Sequence, residues 1–161
     1  MKKRVLWLCT LTALMFAATG CGNTDTPPED YPIEISFTEY PVINDPLSEN
    51  PCRWNLPGYQ NGFYSALIII NSNEELECYI ECTGANYPAV DFSRYTLLLA
   101  HGVEGHLVRP AHTSLQQLSA ESYIMKVGLN PFLVGVITPW QVPIIVSKIA
   151  DGSVVELIVT K

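Results

Sequence analysis

Three histidines and a glutamate fall close together in this chain: His101, Glu104, His106 and His112. Imidazole and carboxylate are the ligands of three-residue zinc sites, so this group is the first place to look for metal chemistry. The spacing argues against it. Gly105 puts one residue too many between Glu104 and His106 for an H-x-x-E-H pattern, and that pattern needs a helix to bring its ligands onto one face. Gly102 and Gly105 disfavour a helix here. The segment is expected to be a hairpin loop flanked by exposed histidines, with no metal assigned.

Nucleophilic chemistry has less to build on. There is no Gly-x-Ser-x-Gly elbow and no cysteine in a recognisable Cys–His frame. The acids are scattered, and Glu74, Glu75, Glu77 and Glu81 read as a solvated helix face. No catalytic residue and no cofactor is therefore assigned, and the chain reads as a non-enzyme. Trp54 and Trp140 are the remaining ligand candidates, since indoles make platforms for sugars and peptides. Each lies near a proline at an expected strand end, where a large aromatic is more often a lid on the core.

The elements that would position these residues begin at Cys52. Residues 63–70 end in Leu67-Ile68-Ile69-Ile70, an apolar run expected of a strand covered on both faces. Ser72-Asn73-Glu74-Glu75 is a capping box. The helix it opens places Leu76, Tyr79, Ile80 and Thr83 on one face and stops at Gly84. A turn over 90–93 leads to a strand over 95–101. Further strands are expected at 106–109, 113–118, 123–129, 132–138, 142–149 and 154–160. Tyr123, Met125, Val127 and Leu129 alternate with Ile124, Lys126 and Gly128, as a half-buried strand should. Asp151-Gly152 signals a hairpin between the last two runs. Residues 31–51 are ambiguous: Ile33, Ile35 and Phe37 have the period of an edge strand, and Pro41, Pro46 and Pro51 then interrupt it. That stretch either lies against the domain or belongs to a linker. The fold class is α+β: a mostly antiparallel sheet, as a sandwich or partial barrel, with one packed helix over residues 51–161.

The run 70–76 (INSNEEL) followed by 90–100 (VDFSRYTLLLA) resembles a group of uncharacterised lipoproteins from Bacteroides-like bacteria. More loosely it is similar to the C-terminal domain of PrcB, a lipoprotein associated with a protease complex. The match covers roughly residues 52–161. It implies an extracytoplasmic binding or accessory domain and transfers no catalytic residue.

The start of the chain agrees with that address. Lys2-Lys3-Arg4, an apolar run over 5–18 and then Thr19-Gly20-Cys21 have the form of a secretory signal. Its end resembles the lipobox of bacterial lipoproteins, with Ala18 in the place usually held by a larger aliphatic residue. Residues 1–20 are the expected signal peptide, Cys21 the lipid-bearing first residue, and 21–50 the lipidated start and tether. Residues 22–30 (GNTDTPPED) are too polar and too rich in proline to bury surface, which suits a flexible spacer. Removing the signal takes three of the nine basic residues and none of the sixteen acidic ones, so the mature charge is −10. Such a chain repels phosphate backbones, which excludes nucleic acid as a partner, and it repels anionic head groups too. Attachment to an outer membrane, on either face, must come from the lipid.

With Cys9 removed and Cys21 acylated, Cys52, Cys78 and Cys82 remain in an oxidising compartment. Cys78 and Cys82 are four apart on the expected helix, which is poor geometry for a mutual bond. Cys82 lies beside the buried face, so the expected disulfide is Cys52–Cys82, with Cys78 free. Three functional readings follow in order. The first is a lipid-anchored accessory or protein-binding domain with an envelope protein partner. The second is a glycan- or peptide-binding module using Trp54 or Trp140. The last is a metal-dependent hydrolase built on His101, Glu104, His106 and His112. Neither the partner nor the oligomeric state can be read from the residues.

Overall fold

The computed structural model describes residues 30–42, 51–56, 62–84 and 86–161. In chain order its elements begin with β1 (Ile33–Glu34), β2 (Thr38–Glu39), β3 (Cys52–Trp54) and β4 (Tyr64–Ile70). Next come α1 (Asn73–Glu77), β5 (Ile80–Cys82) and β6 (Tyr95–Glu104). The chain closes with β7 (Val108–Ser119), β8 (Ser122–Pro131), β9 (Thr138–Ser147) and β10 (Val154–Thr160). One sheet has the order β1-β7-β8-β10 and the other β2-β9-β6-β4. They face each other as a mostly antiparallel β-sandwich, with the ribbon β3-β5 on the outer side of the second sheet.

Strand β6 sits at the centre. Leu98 and Ala100 point into the core between the sheets, with Leu115, Met125, Val127 and Ile144. Leu97 and Leu99 point the other way, into a second core with Trp54, Leu76 and Ile80. The apolar run of β4 is split likewise: Leu67 and Ile69 pack on the first core, Ile68 and Ile70 on the second. The run thus packs on both faces as expected, but as an edge strand it is only half-buried except at Ile70. β8 also alternates as expected, with Tyr123, Met125, Val127 and Leu129 buried and the residues between them half-buried.

Several expectations are corrected. The helix is a single turn, because only Leu76 finds the core from it. Ser72 does cap it, accepting the Glu75 N–H at 3.1 Å, while the Glu75 carboxylate accepts the Asn71 N–H at 2.6 Å. After Cys78 the chain turns extended and pairs with β3, placing Trp54 opposite Ile80 and Cys52 opposite Cys82. Cross-strand ladder bonds and a β-branched side chain facing the indole outweigh a helix whose next turn has nothing to bury. The fold is thus mostly β with one short helix, rather than α+β.

The Asp151-Gly152 turn exists, with Gly152 at φ +85 and Ser153 donating to the Ala150 carbonyl at 3.1 Å. The strands it joins do not form a hairpin. Both edges of β9 are already taken, by β6 and by β2. The chain therefore crosses to the other sheet, where β10 pairs parallel to β8 from Val154↔Ser122 to Thr160↔Gly128. The strand expected over 132–138 is not formed: residues 132–137 are a loop, and Thr138 and Pro139 begin β9.

The stretch 31–42 lies against the domain. Ile33 and Glu34 extend the edge of β7, then Thr38 and Glu39 extend the edge of β9, so this segment bridges one open side of the sandwich. Tyr40 and Val42 are buried, and Val42 accepts the Trp54 indole N–H at 2.7 Å. Packed structure therefore begins well before residue 51.

The disulfide Cys52–Cys82 is present, with Cys78 free and exposed. It arises from strand register and not from a helix face. By the chain-entropy relation, closing a loop with a sequence separation of 30 contributes roughly 3.6 kcal/mol. Replacing both Cys52 and Cys82 by Ser should lower the urea-unfolding free energy by about that amount. Unreduced peptide mapping should join residue 52 to residue 82, while Cys78 alkylates without reductant; a Cys52–Cys78 peptide would contradict the assignment.

Candidate functional site

The four proposed metal ligands are not brought together. His101 is part of β6 and is buried against the edge of the Tyr64 ring, with centroids 5.6 Å apart. Burial of the imidazole lowers its pKa from the ordinary 6.5. Glu104 accepts a 2.7 Å ion pair from Lys161. His106 is exposed in the turn after β6, and His112 is exposed on β7 in the other sheet, opposite Gly128. Among the described residues no group of three His, Cys, Asp or Glu side chains is placed to hold a metal ion. The hairpin loop expected at 101–106 is also corrected. Gly102 continues the strand because there the backbone of β4 and the indole of Trp140 come close. A Cβ at 102 would meet the Tyr64 carbonyl oxygen and lie 2.9 Å from the Trp140 ring. That glycine serves a close approach and not a turn.

The tryptophans are core residues. Trp54 is 3% exposed and Trp140 also 3%, so neither offers a face to a sugar or peptide. An open groove of about 360 Å³ runs beside β2, between Phe37, Val90, Asp91, Tyr95 and Ile145. Neither indole lines it. Asp91 there accepts from the Ser93 hydroxyl at 2.6 Å and from its N–H at 3.1 Å, and those bonds hold its carboxyl below the usual range. This is an Asx turn that starts β6, with its acceptor already occupied. Cys21, the expected signal over 1–20 and the parts of the expected 21–50 tether at 21–29 and 43–50 lie outside the described residues.

What the sequence reading missed is the connection from β8 to β9. Residues 132–137 (FLVGVI) read as a strand, yet they form a loop whose side chains point outward. Leu133 is fully exposed at 108%, and Phe132, Val134, Val136 and Ile137 lie between 43% and 55%. Phe63, 59% exposed, adds to the same end of the sandwich, where its ring covers Gly105. The loop is fixed rather than loose. Leu107 donates to the Val134 carbonyl at 2.9 Å and accepts from the Phe132 N–H at 2.8 Å. The Arg109 guanidinium lies 5.7 Å from the centre of the Phe132 ring. Exposed apolar surface of this kind makes this end of the sandwich the candidate interaction site. The signal was in the residues: Asn130-Pro131 and Gly135 break an apolar run that has no period of two.

Comparison with protein-family models, curated proteins and solved structures finds no match for this chain.

The burial of His101 has a consequence for stability. Its folded pKa is lowered, so the unfolded chain binds the proton more readily, and stability falls as pH drops below about 6.5. Tyr64, the ionisable ring facing it, is itself pushed upward by burial and stays neutral throughout that window. Asp91 acts in the same sense but only below its ordinary 3.8. Urea-unfolding curves should show decreasing stability from pH 7 to pH 5, and His101→Phe should flatten that decline. An unchanged slope in the variant would show that His101 is not its source.

Proposed function

We propose that this chain is a lipid-anchored cell-envelope protein whose folded domain is a non-enzymatic, protein-binding accessory module. The observation that carries the binding role is the apolar end made by Phe63 and residues 132–137. Six large apolar side chains stand in water there, on a backbone held by paired hydrogen bonds to Leu107. Fully burying a side chain such as Leu133 or Phe132 is worth roughly 1.5 to 3 kcal/mol. Two or three such residues make a hot spot of ordinary strength. Because the loop is already ordered, little conformational entropy remains to be lost on binding.

The anchoring role is supported by the basic head, the short apolar run and the Thr19-Gly20-Cys21 end of the first segment. The resemblance to extracytoplasmic lipoproteins agrees with it, as does a disulfide suited to an oxidising compartment. The destination is an outer membrane, on its periplasmic or its surface face.

Two measurements test the two halves separately. The N-terminal peptide of the mature protein should carry acyl mass on Cys21, and Cys21→Ala should move the protein out of the membrane fraction. An unacylated terminus would remove the anchor. In crosslinked pull-downs from intact cells, Leu133→Asp together with Val134→Asp should cut partner recovery at least tenfold. Both side chains are solvent-exposed, so thermal stability should stay close to the parent value. Undiminished recovery would remove the apolar end from the binding role.

A further inference from the structure

We infer that the apolar end docks into an apolar pocket rimmed by carboxylates on a different protein, held on the side of the domain away from the anchoring membrane. This rests on the reading of Cys21 as the anchor and of the end as a binding surface. It adds the chemistry of the partner and where that partner stands.

The direction comes from strand register. Ile33 lies opposite Gln117, near the 119–122 turn, whereas Val108 and Pro131 mark the opposite end of the same sheet. The chain from Cys21 thus joins the domain at the end opposite the apolar loop. Strand β8 separates the two ends by about 30 Å at the usual rise per residue. The twelve Cα-to-Cα steps from Cys21 to Ile33 span at most about 40 Å when straight. A relaxed coil of that length spans about 20 Å. To bring the loop to its own bilayer, the chain would have to run nearly straight back along the whole domain. In the opposite orientation nothing is stretched and the loop faces outward.

The chemistry comes from charge. At the loop end, Glu104 is the only carboxylate side chain among the described residues, and Lys161 neutralises it. Arg109 flanks Phe132 and forms no ion pair among the described residues, and His106 is exposed nearby. Glu34, Glu74, Glu75, Asp91, Glu121 and Asp151 all lie toward the other end. An apolar knob with a cationic rim is complementary to an apolar pocket with an anionic one. One free arginine falls far short of the four to eight clustered cations that hold a segment on an anionic membrane. A second copy fits no better. Meeting end to end would place Arg109 against Arg109 with no free carboxylate, and would point the two anchors in opposite directions.

The test uses the full-length protein in its own cells, with a photo-crosslinking amino acid at position 133 and, as control, at position 121. The expected result is an adduct from position 133 and not from 121. Its partner peptide should combine apolar residues with Asp or Glu. Arg109→Glu should lower the adduct yield at least tenfold without changing the melting temperature. Adducts with lipid, adducts with another copy of this chain, a partner peptide without carboxylates, a yield indifferent to Arg109→Glu, or no adduct would each overturn the proposal. The N-terminal acyl mass, read from the same preparation, decides the anchor independently.

Discussion

Everything in this fold depends on β6 being buried on both faces. A strand that is apolar on alternate sides needs a layer on each, and the chain supplies both from parts that are distant in sequence. The sheet β1-β7-β8-β10 covers Leu98 and Ala100, while β3, α1 and β5 cover Leu97 and Leu99. Large-to-small changes at such positions typically cost 2 to 5 kcal/mol, so this strand carries a large share of a small domain's margin. Its one buried hydroxyl is satisfied in a way that ties three segments together. Thr96 donates to the Asn71 side chain at 2.7 Å and accepts the Ile149 N–H at 3.1 Å. Lys148 reaches the same Asn71 oxygen at 2.9 Å. The end of β4, the start of β6 and the crossover after β9 are thereby held at one point.

That two-sided requirement explains which parts of the fold were legible beforehand. The continuous apolar run of β4 and the alternation of β8 carry their burial pattern in their own residues, so both could be read locally. Ser72 could be read as a cap for the same reason. The misreadings all concern competition between segments. Tyr79 and Ile80 have helical spacing to Leu76, but Trp54 offers a strand partner that local spacing does not reveal. Asp151-Gly152 turns the chain as expected, but the sheet it turns toward is decided by β2, which occupies the edge of β9. The Cys52–Cys82 pairing was right although the helix used to derive it does not reach Cys82. Its actual cause is that the two cysteines are opposite each other in register.

The site was less legible than the fold. His101 and Gly102 resembled a loop because glycine is usually read as a turn, whereas here it admits Trp140 beneath the strand. The stretch 132–138 was read as a strand because short apolar runs between turn signals usually are. What local pattern cannot show is whether any core space is left for them.

There is none. At that end of the sandwich the space between the sheets is already closed by Val108, Leu129 and Trp140, each at most 4% exposed. Collapse of Phe132 or Leu133 inward would require displacing one of these, in a core that has no slack for an added side chain. The loop is instead bonded to Leu107 and faces water. Its side chains contribute little to the stability of the domain that displays them. The apolar loop is thus one that the core does not need, fixed by its bonds to Leu107 and flanked by Arg109. Substitutions in this loop should therefore leave the fold largely intact, whereas the packing of both cores on β6 is what holds it.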